Sequence, residues 1–498
     1  MDWNALILFG VPATSLIASA VIFLLAESRH TLRSVFNLVA AVLKLLLVVW
    51  IIWGVYQNVD YELRFTIIDG VDFILRADAL GMMFVGLSSL LWLFTTIYAI
   101  GYLEDAPNRS RFFGFFSLCV ASTVGIALAG NLFTFLLFYE LLTLSTYPLV
   151  VHRGTRESLR AGQVYLYYTL GGGALLLFGV VALHVLVGDT EFVPGGVLSG
   201  LDASLHPMLV VIFVMMVVGL GVKAALFPLH AWLPMAMVAP APVSALLHAV
   251  AVVKAGAFGI ARVVYDVYGI EFTFSLGLLG PLAVAAAITI LYGSFRALAQ
   301  DDLKKRLAFS TVSQVSYIVL GITLFGPVGT LGGLVHLLHQ GLMKITLFFC
   351  AGNYAETLGV HKISELDGTG QRMPATSVAF TLGAFGMIGI PPMAGFISKW
   401  YLGMGALHAN MNWVLAVLIL SSLLNAAYFL PILYRIWFRT RNKPWCEEKA
   451  LGRHETTLWL LVPTLATAGF ALIAGLLAGM PFSPLYWADL IVSREYLQ

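Results

Sequence analysis

The chain has 498 residues, 60% of them hydrophobic and only 11% charged, with a formal net charge of +2. A soluble chain carries roughly 25% charged residues, so this composition suits lipid as solvent, and its near-neutral balance gives no case for a nucleic-acid partner. Cys119, Cys350 and Cys446 form no C-x-x-C pair, which argues against a disulfide framework or a metal cluster.

Apolar stretches of about 20 residues, the length that crosses a bilayer, recur from Ala5 to Met480. In chain order they predict fourteen spans, at 4–26, 32–55, 79–101, 111–130, 131–151, 159–187, 207–229, 239–265, 273–297, 304–323, 328–355, 375–400, 411–437 and 456–480. The first run is too long for a secretory leader and lacks its small-residue cleavage pattern, so it reads as a retained helix. Of 28 Lys and Arg, 19 fall in loops that follow odd-numbered spans, from Arg29 and Arg33 to the group between Arg435 and Arg453; only Arg64, Arg76, Arg262 and Arg494 fall on the other side. The positive-inside rule then makes the odd-to-even loops cytoplasmic and places both termini outside an inner membrane. The outer loops are acidic, with Asp60, Glu62, Asp69 and Asp72 in one and Asp189, Glu191 and Asp202 in another.

Six ionisable residues remain inside spans: Lys44, Glu140, Lys223, Lys254, Lys344 and Lys399. A charge at the bilayer centre costs about 3 kcal/mol on insertion scales, so each needs a reason. Lys44, in the second span, stands beside no break or motif, and snorkelling to an interface would account for it. Glu140 is the one acidic residue deep in a span, the fifth; a carboxylate stays ionised there only beside a cation.

The densest segment runs from Lys223 through Pro228, His230, Trp232 and Pro234 to Pro242, Ser244, His248 and Lys254-Ala-Gly256. Pro228 lacks a backbone donor and breaks or kinks the seventh span. Broken helices at membrane depth are tolerated where the freed backbone lines a hydrated cavity, so water can reach Lys223. Ser244 and His248, four apart, share one face of the eighth span. His248 alone reads equally as a packed core histidine; its company favours a relay or water-positioning role.

The tenth span carries Ser310, Ser313, Gln314 and Tyr317 as a polar stripe, and the eleventh carries His336, Gln340 and Lys344, with His339 close by. Such stripes serve either as helix–helix glue or as a wet path, and Lys344, like Lys44, has snorkelling as its rival reading. In the twelfth span Pro391-Pro392 stands a few residues before Lys399, a second break beside a lysine. The seventh and twelfth spans run in opposite directions five helices apart, the footprint of two inverted five-helix repeats. The expected fold is all-α and polytopic: residues 1–103 hold helices 1–3, 104–268 the first repeat (helices 4–8), 269–440 the second (helices 9–13), and 441–498 a cytoplasmic loop, helix 14 and a tail.

At these residues the chain resembles the antiporter-like subunits shared by respiratory complex I, membrane-bound hydrogenases and multi-subunit Mrp Na⁺/H⁺ antiporters. The resemblance covers nearly the whole chain, and its most specific part is Pro228-x-His230-x-Trp232-Leu-Pro through Pro242-Val-Ser-Ala-Leu-Leu-His248-Ala. It implies fourteen helices with broken seventh and twelfth spans, a glutamate–lysine pair at Glu140 and Lys223, a central lysine at Lys254 and a terminal relay residue at Lys399. Lys399 argues against the M-type subunit of complex I, which resembles a glutamate-bearing form, and the chain ends too soon for the lateral helix of the L-type; the D-type Mrp subunit is the nearest form. Many relatives place a histidine at the position of Gln340, whereas here His339 is its neighbour, about 100° round the helix.

The expected function is proton translocation through Glu140, Lys223, Lys254, His248, His336, His339, Lys344 and Lys399. Other membrane subunits are the expected partners, with protons as cargo, Na⁺ handled either here or by a neighbouring subunit, and no cofactor or redox centre in this chain. Three rivals stand beside it. One is a redox-driven pump subunit with the same relay chemistry. Another is a haem- or quinone-binding carrier, but His336 and His339, three apart on one helix, cannot clasp a haem from opposite faces. The third is a free-standing carrier that needs no partner.

Overall fold

The computed structural model describes residues 3–103, 106–188, 190–441, 444–445, 447–449 and 454–496; Asp189, Cys446 and Arg453 lie outside them. Its first seven helices are α1 (Trp3–Leu24), α2 (His30–Tyr56), α3 (Ala79–Tyr102), α4 (Arg109–Leu128), α5 (Leu132–Val150), α6 (Arg156–Val187) and α7 (His206–Lys223). Next come the short α8 (Trp232–Met235) and α9 (Ala241–Ala245), then α10 (Val252–Arg262), α11 (Ile270–Ser275), α12 (Leu279–Leu298), α13 (Leu303–Thr323) and α14 (Pro327–Leu358). The chain closes with α15 (Thr369–Arg372), α16 (Pro374–Ile388), α17 (Ala394–His408), α18 (Asn412–Phe438), α19 (Leu458–Leu476) and α20 (Pro484–Tyr496).

Among the described residues, twelve helical stretches are long and apolar enough to cross a membrane. They overlap twelve of the expected spans, the largest shifts being six residues at the end of the seventh (223 against 229) and at the start of the ninth (279 against 273). The tenth expected span is α13, whose first turn carries Lys304, Lys305 and Arg306, and the twelfth is divided between α16 and α17.

Burial sorts the helices into centre and perimeter. The Ala241–Val267 stretch and α14 are enclosed along their apolar length, whereas α2, α6 and α18 turn rows of large apolar side chains outward. Small residues set the central spacing. A Cβ on Gly256 would lie 2.2 Å from the Ala224 nitrogen, and one on Gly341 would lie 3.1 Å from the Ala249 carbonyl oxygen, so glycine lets backbone approach backbone there.

Both predicted breaks are present, with their limits corrected. The seventh span stops at Lys223 rather than 229, five residues before Pro228, and Ala225 takes a left-handed φ of 56°. Its loose end is tied down by Trp232, whose indole donates to the Val222 carbonyl at 2.8 Å, and by Thr289, whose hydroxyl accepts from the Phe227 N–H at 3.0 Å. The twelfth span breaks between Ile388 and Ala394, with Gly389 at φ 92°, and helix resumes to His408 rather than ending at 400. The eighth span departs from a plain helix: Leu246–Val250, which holds His248, and Val263–Val267 are π-helical turns flanking α10. Such turns widen the hydrogen-bond ladder and concentrate at functional sites.

One element absent from the all-α expectation is an antiparallel hairpin, β1 (Glu62–Ile68) and β2 (Val71–Arg76), turned by Gly70 at φ 80°. Asp69-Gly70 between apolar-alternating flanks is a recognisable hairpin signal. Arg64 and Arg76 both reach Glu191, at 2.7 and 2.6 Å, and clasp the hairpin to the 190–192 segment. Beside it α20 lies across the end of α3, where the Trp487 indole donates to the Ala79 carbonyl at 2.9 Å.

Candidate functional site

The ionisable residues read from the sequence gather on the central helices and the breaks. Lys223 ends α7 fully buried; its ammonium donates to the Tyr139 carbonyl and lies 3.2 Å from the centre of the Tyr139 ring. Glu140 follows Tyr139 on α5, but no ion pair within 4.0 Å joins it to Lys223, and its Oε1 is buried without a hydrogen-bond partner. Glu140 stands midway along α5 but is only half-buried by its neighbours, since Leu137 and Leu144 on the same face are exposed. It rests against α6 at Gly173, where a Cβ would lie 2.2 Å from Oε1.

Lys254, on α10, is fully buried and donates to the Leu337 carbonyl of α14 at 2.5 Å. Lys344, also buried, donates to the Leu307 carbonyl of α13 at 3.0 Å. Lys399 sits in the second turn of α17 and places its ammonium on the open end of α16, 3.0 Å from the Met387 carbonyl, 2.9 Å from that of Ile388 and 3.1 Å from the Ser422 hydroxyl. A cation at a helix C-terminus meets the negative end of the dipole, so the break itself builds the seat for Lys399. Lys44 is buried too, bonded to the Ser15 hydroxyl with its ammonium 4.5 Å from the Trp92 ring centre. Neither Lys44 nor Lys344 snorkels, because the surrounding helices enclose both.

The histidines differ in satisfaction. His336 Nδ1 shares a 2.8 Å hydrogen bond with Ser398 of α17, and its ring centre lies 5.3 Å from that of Tyr317. The Lys399 ammonium lies 5.3 Å from that same tyrosine ring, so Tyr317 adjoins both. His248 stacks on Phe348 at 4.6 Å, and both of its ring nitrogens are buried without protein partners, as are those of His339 and both amide atoms of Gln340 and Gln314.

The stripe on α13 has two characters. Ser310 bonds the Tyr428 hydroxyl at 2.8 Å, and Ser313 bonds Ser294 at 3.0 Å, which is helix–helix glue. Gln314 and the Tyr317 hydroxyl instead have no protein partner. A buried polar atom left unbonded costs about 1–3 kcal/mol, so a row of them on α13, α14 and the π-turn suits a watered path.

Sequence reasoning missed one charged cluster. Arg262 is buried in the last turn of α10 rather than lying in a loop, and Asp266, 2% exposed, joins Glu140 as an acidic residue within a span. Arg262 Nη1 lies 2.6 Å from Asp266 Oδ2 and 2.7 Å from Asp78 Oδ2. The i,i+4 spacing of Arg262 and Asp266 was the available signal.

The chain is 37% identical over 370 residues to the N-type subunit of the NADH-quinone oxidoreductase of Desulforudis audaxviator (strain MP104C), covering 72% of this chain and 71% of that one. To the D-type subunit of the Na(+)/H(+) antiporter of Bacillus subtilis (strain 168) it is 28% identical over 408 residues, 81% and 80% of the two chains. Some relatives are longer: the chain spans 50% of hydrogenase-4 component B of Escherichia coli (strain K12). A chain in the structure of the Mrp complex from Dietzia sp. DQ12-45-1b superposes with a TM-score of 0.87 at 24% identity, covering 100% of this chain and 98% of that one, which shows the shared fold. Residues 129–425, more than half of the sequence, match the family described as NADH:quinone oxidoreductase/Mrp antiporter, TM, and it is to this family of multi-pass membrane proteins that the chain belongs.

Proposed function

We propose that this chain is the proton-translocating subunit of a multi-subunit Na⁺/H⁺ antiporter. The supporting observation is the set of buried and half-buried lysines, on the central helices and at the two breaks, whose ammonium groups rest on backbone carbonyls rather than on carboxylates. Lys223, Lys254, Lys344 and Lys399 each do so. Lysine can shed its proton and arginine cannot, so a string of such sites stores and passes protons where fixed cations would only carry the cost of burial.

The relay runs from Glu140 and Lys223 to Lys254, then by His336 and His339 past Tyr317 to Lys399, with His248 and Lys344 bordering it. Waters bonded to the unpaired atoms of His248, His339, Gln340 and Gln314 link the members. Residues 104–268 and 269–440 act as two inverted repeats that share this path. The hairpin face is the outer one and both termini lie outside, on the strength of the 19-to-4 charge bias. Other membrane subunits complete the assembly, and the half-buried Glu140, flanked by exposed Leu137 and Leu144, suits a partner's surface.

A redox-driven proton pump is the second reading, favoured by the 37% identity to a chain of an NADH-quinone oxidoreductase. Co-purification separates the two: redox proteins in the complex would establish the pump, and small membrane proteins alone the antiporter. Proton uptake into vesicles tests the relay itself. Glu140→Ala and Lys223→Ala should each abolish transport with insertion intact, while Glu140→Asp keeps part of it; near-normal transport in Glu140→Ala removes the pair from the mechanism.

A further inference from the structure

On the hairpin face, a cavity of about 390 Å³ is lined by Glu62, Arg76, Asp78, Arg262, Asp266 and Arg494, among others. Its charges are unequally served. Arg76 is held by Glu62 and Glu191, and Arg494 by the Val55 carbonyl and the Asn58 side chain. Asp78 takes both terminal nitrogens of Arg262, at 2.7 and 2.8 Å, and the Gly81 N–H at 2.6 Å. Asp266 has only a share of Arg262 Nη1, at 2.6 Å. Two carboxylates around one guanidinium leave one negative charge in excess, and Asp266 is both the more buried and the less satisfied of the two.

Lys254 and Arg262 share α10, eight residues apart, a rise of about 12 Å toward the cavity. What lies between them is aromatic. Phe258 and Phe192 each stand 5.1 Å from the Arg262 guanidinium carbon, and Phe84 packs on Phe258 at 5.0 Å. Phe84 and Phe258 are fully buried and place an apolar layer between the lysine and the carboxylates.

We propose that Asp266, positioned by Arg262 and Asp78, exchanges the relay's protons with water on the hairpin face, and that Phe258 is the gate between it and Lys254. This rests on the relay reading above and adds an outlet within residues 104–268. The Lys254 ammonium loses a proton, through water admitted when Phe258 turns aside, to the Asp266 carboxylate; an amine and a carboxylic acid result. The acid then releases the proton to cavity water and Asp266 returns to its ion pair. Asp60, Glu62, Arg76, Asp78, Arg262 and Arg494 are the other charged groups facing this step.

The test uses the intact complex in sealed vesicles. Asp266→Asn keeps an acceptor oxygen for Arg262 but carries no proton, so transport should fall several-fold, to the share that leaves by Lys399, with assembly unchanged. A triad that only pinned α3 to α10 would survive this change, and transport at the wild-type rate overturns the proposal. Should Asp266→Asn fail to assemble, Asp266→Glu decides: its transport should persist with an altered dependence on hairpin-side pH, and an unaltered profile overturns the assignment. Phe258→Ala should raise passive proton leak several-fold, and an unchanged leak overturns the gate. Lys254→Ala in parallel keeps the two readings apart. Full transport in that variant sinks the relay itself, whereas lost transport there with full transport in Asp266→Asn sinks only the outlet.

Discussion

Gly256→Ala probes how closely the helices that carry Lys223 and Lys254 must be held. Gly256 lies on α10 two residues after Lys254, against the end of α7. An added Cβ would stand 2.2 Å from the Ala224 nitrogen, 2.7 Å from the Leu220 carbonyl oxygen and 2.8 Å from the Lys223 carbonyl carbon. All three are backbone atoms, so no side chain can swing away to make room. Restoring ordinary contact requires α10 and the α7 terminus to part by roughly 1 Å, and overpacking of this kind costs about 1–3 kcal/mol. Lys223 and Lys254 lie on the two sides of that contact, so the parting lengthens the water path between them. Misplacement of ~1 Å in a reacting geometry costs on the order of 10²-fold in rate. The assay is proton transport by the reconstituted complex, with thermal unfolding of the same preparation. Both rate and melting temperature should fall. A wild-type rate with a lowered melting temperature would show that transfer does not depend on this spacing, and wild-type values of both would refute the packing argument.

Three further outcomes follow from the same geometry. Lys254→Arg should assemble yet fail to transport, because arginine keeps the charge on the Leu337 carbonyl but cannot be deprotonated; full activity would make Lys254 a structural cation. Lys399→Ala should cut net transport to the share that leaves by Asp266, and Lys399→Arg, which retains donors for the Met387 and Ile388 carbonyls, should preserve assembly without restoring that loss; normal exchange in either variant would make the second repeat scaffold. At the hairpin, burial raises the Glu191 carboxyl but hydrogen bonds from Arg76 and Arg64 outweigh it and hold the group below its usual range. Its stabilisation is therefore complete above the unfolded value of about 4.3 and is lost as pH falls through the lower folded value. Protection factors of the β1 and β2 amides, corrected for intrinsic exchange, should hold down to about pH 5 and fall below about pH 4, a step that Glu191→Gln removes; a fall already near neutral pH would contradict the clasp.

Much of the fold was legible in the linear sequence because membrane insertion is governed by local rules. A run of about 20 apolar residues must become a helix in lipid whatever its neighbours do, and arginine and lysine counts bias its direction. The breaks near Pro228 and Pro391-Pro392 were visible for the same reason, since proline acts on its own turn. Contacts between helices obey no such rule. Only packing put Lys223 on the Tyr139 ring rather than against Glu140, and only packing brought Asp78, more than 180 residues away in sequence, onto Arg262. The end of α7 at Lys223, earlier than its proline requires, likewise depends on Trp232 and Thr289 reaching across to its freed backbone. The type of each buried group could be read from residue order, but its partner could not, because in a bundle of many helices the partner is chosen by which faces meet.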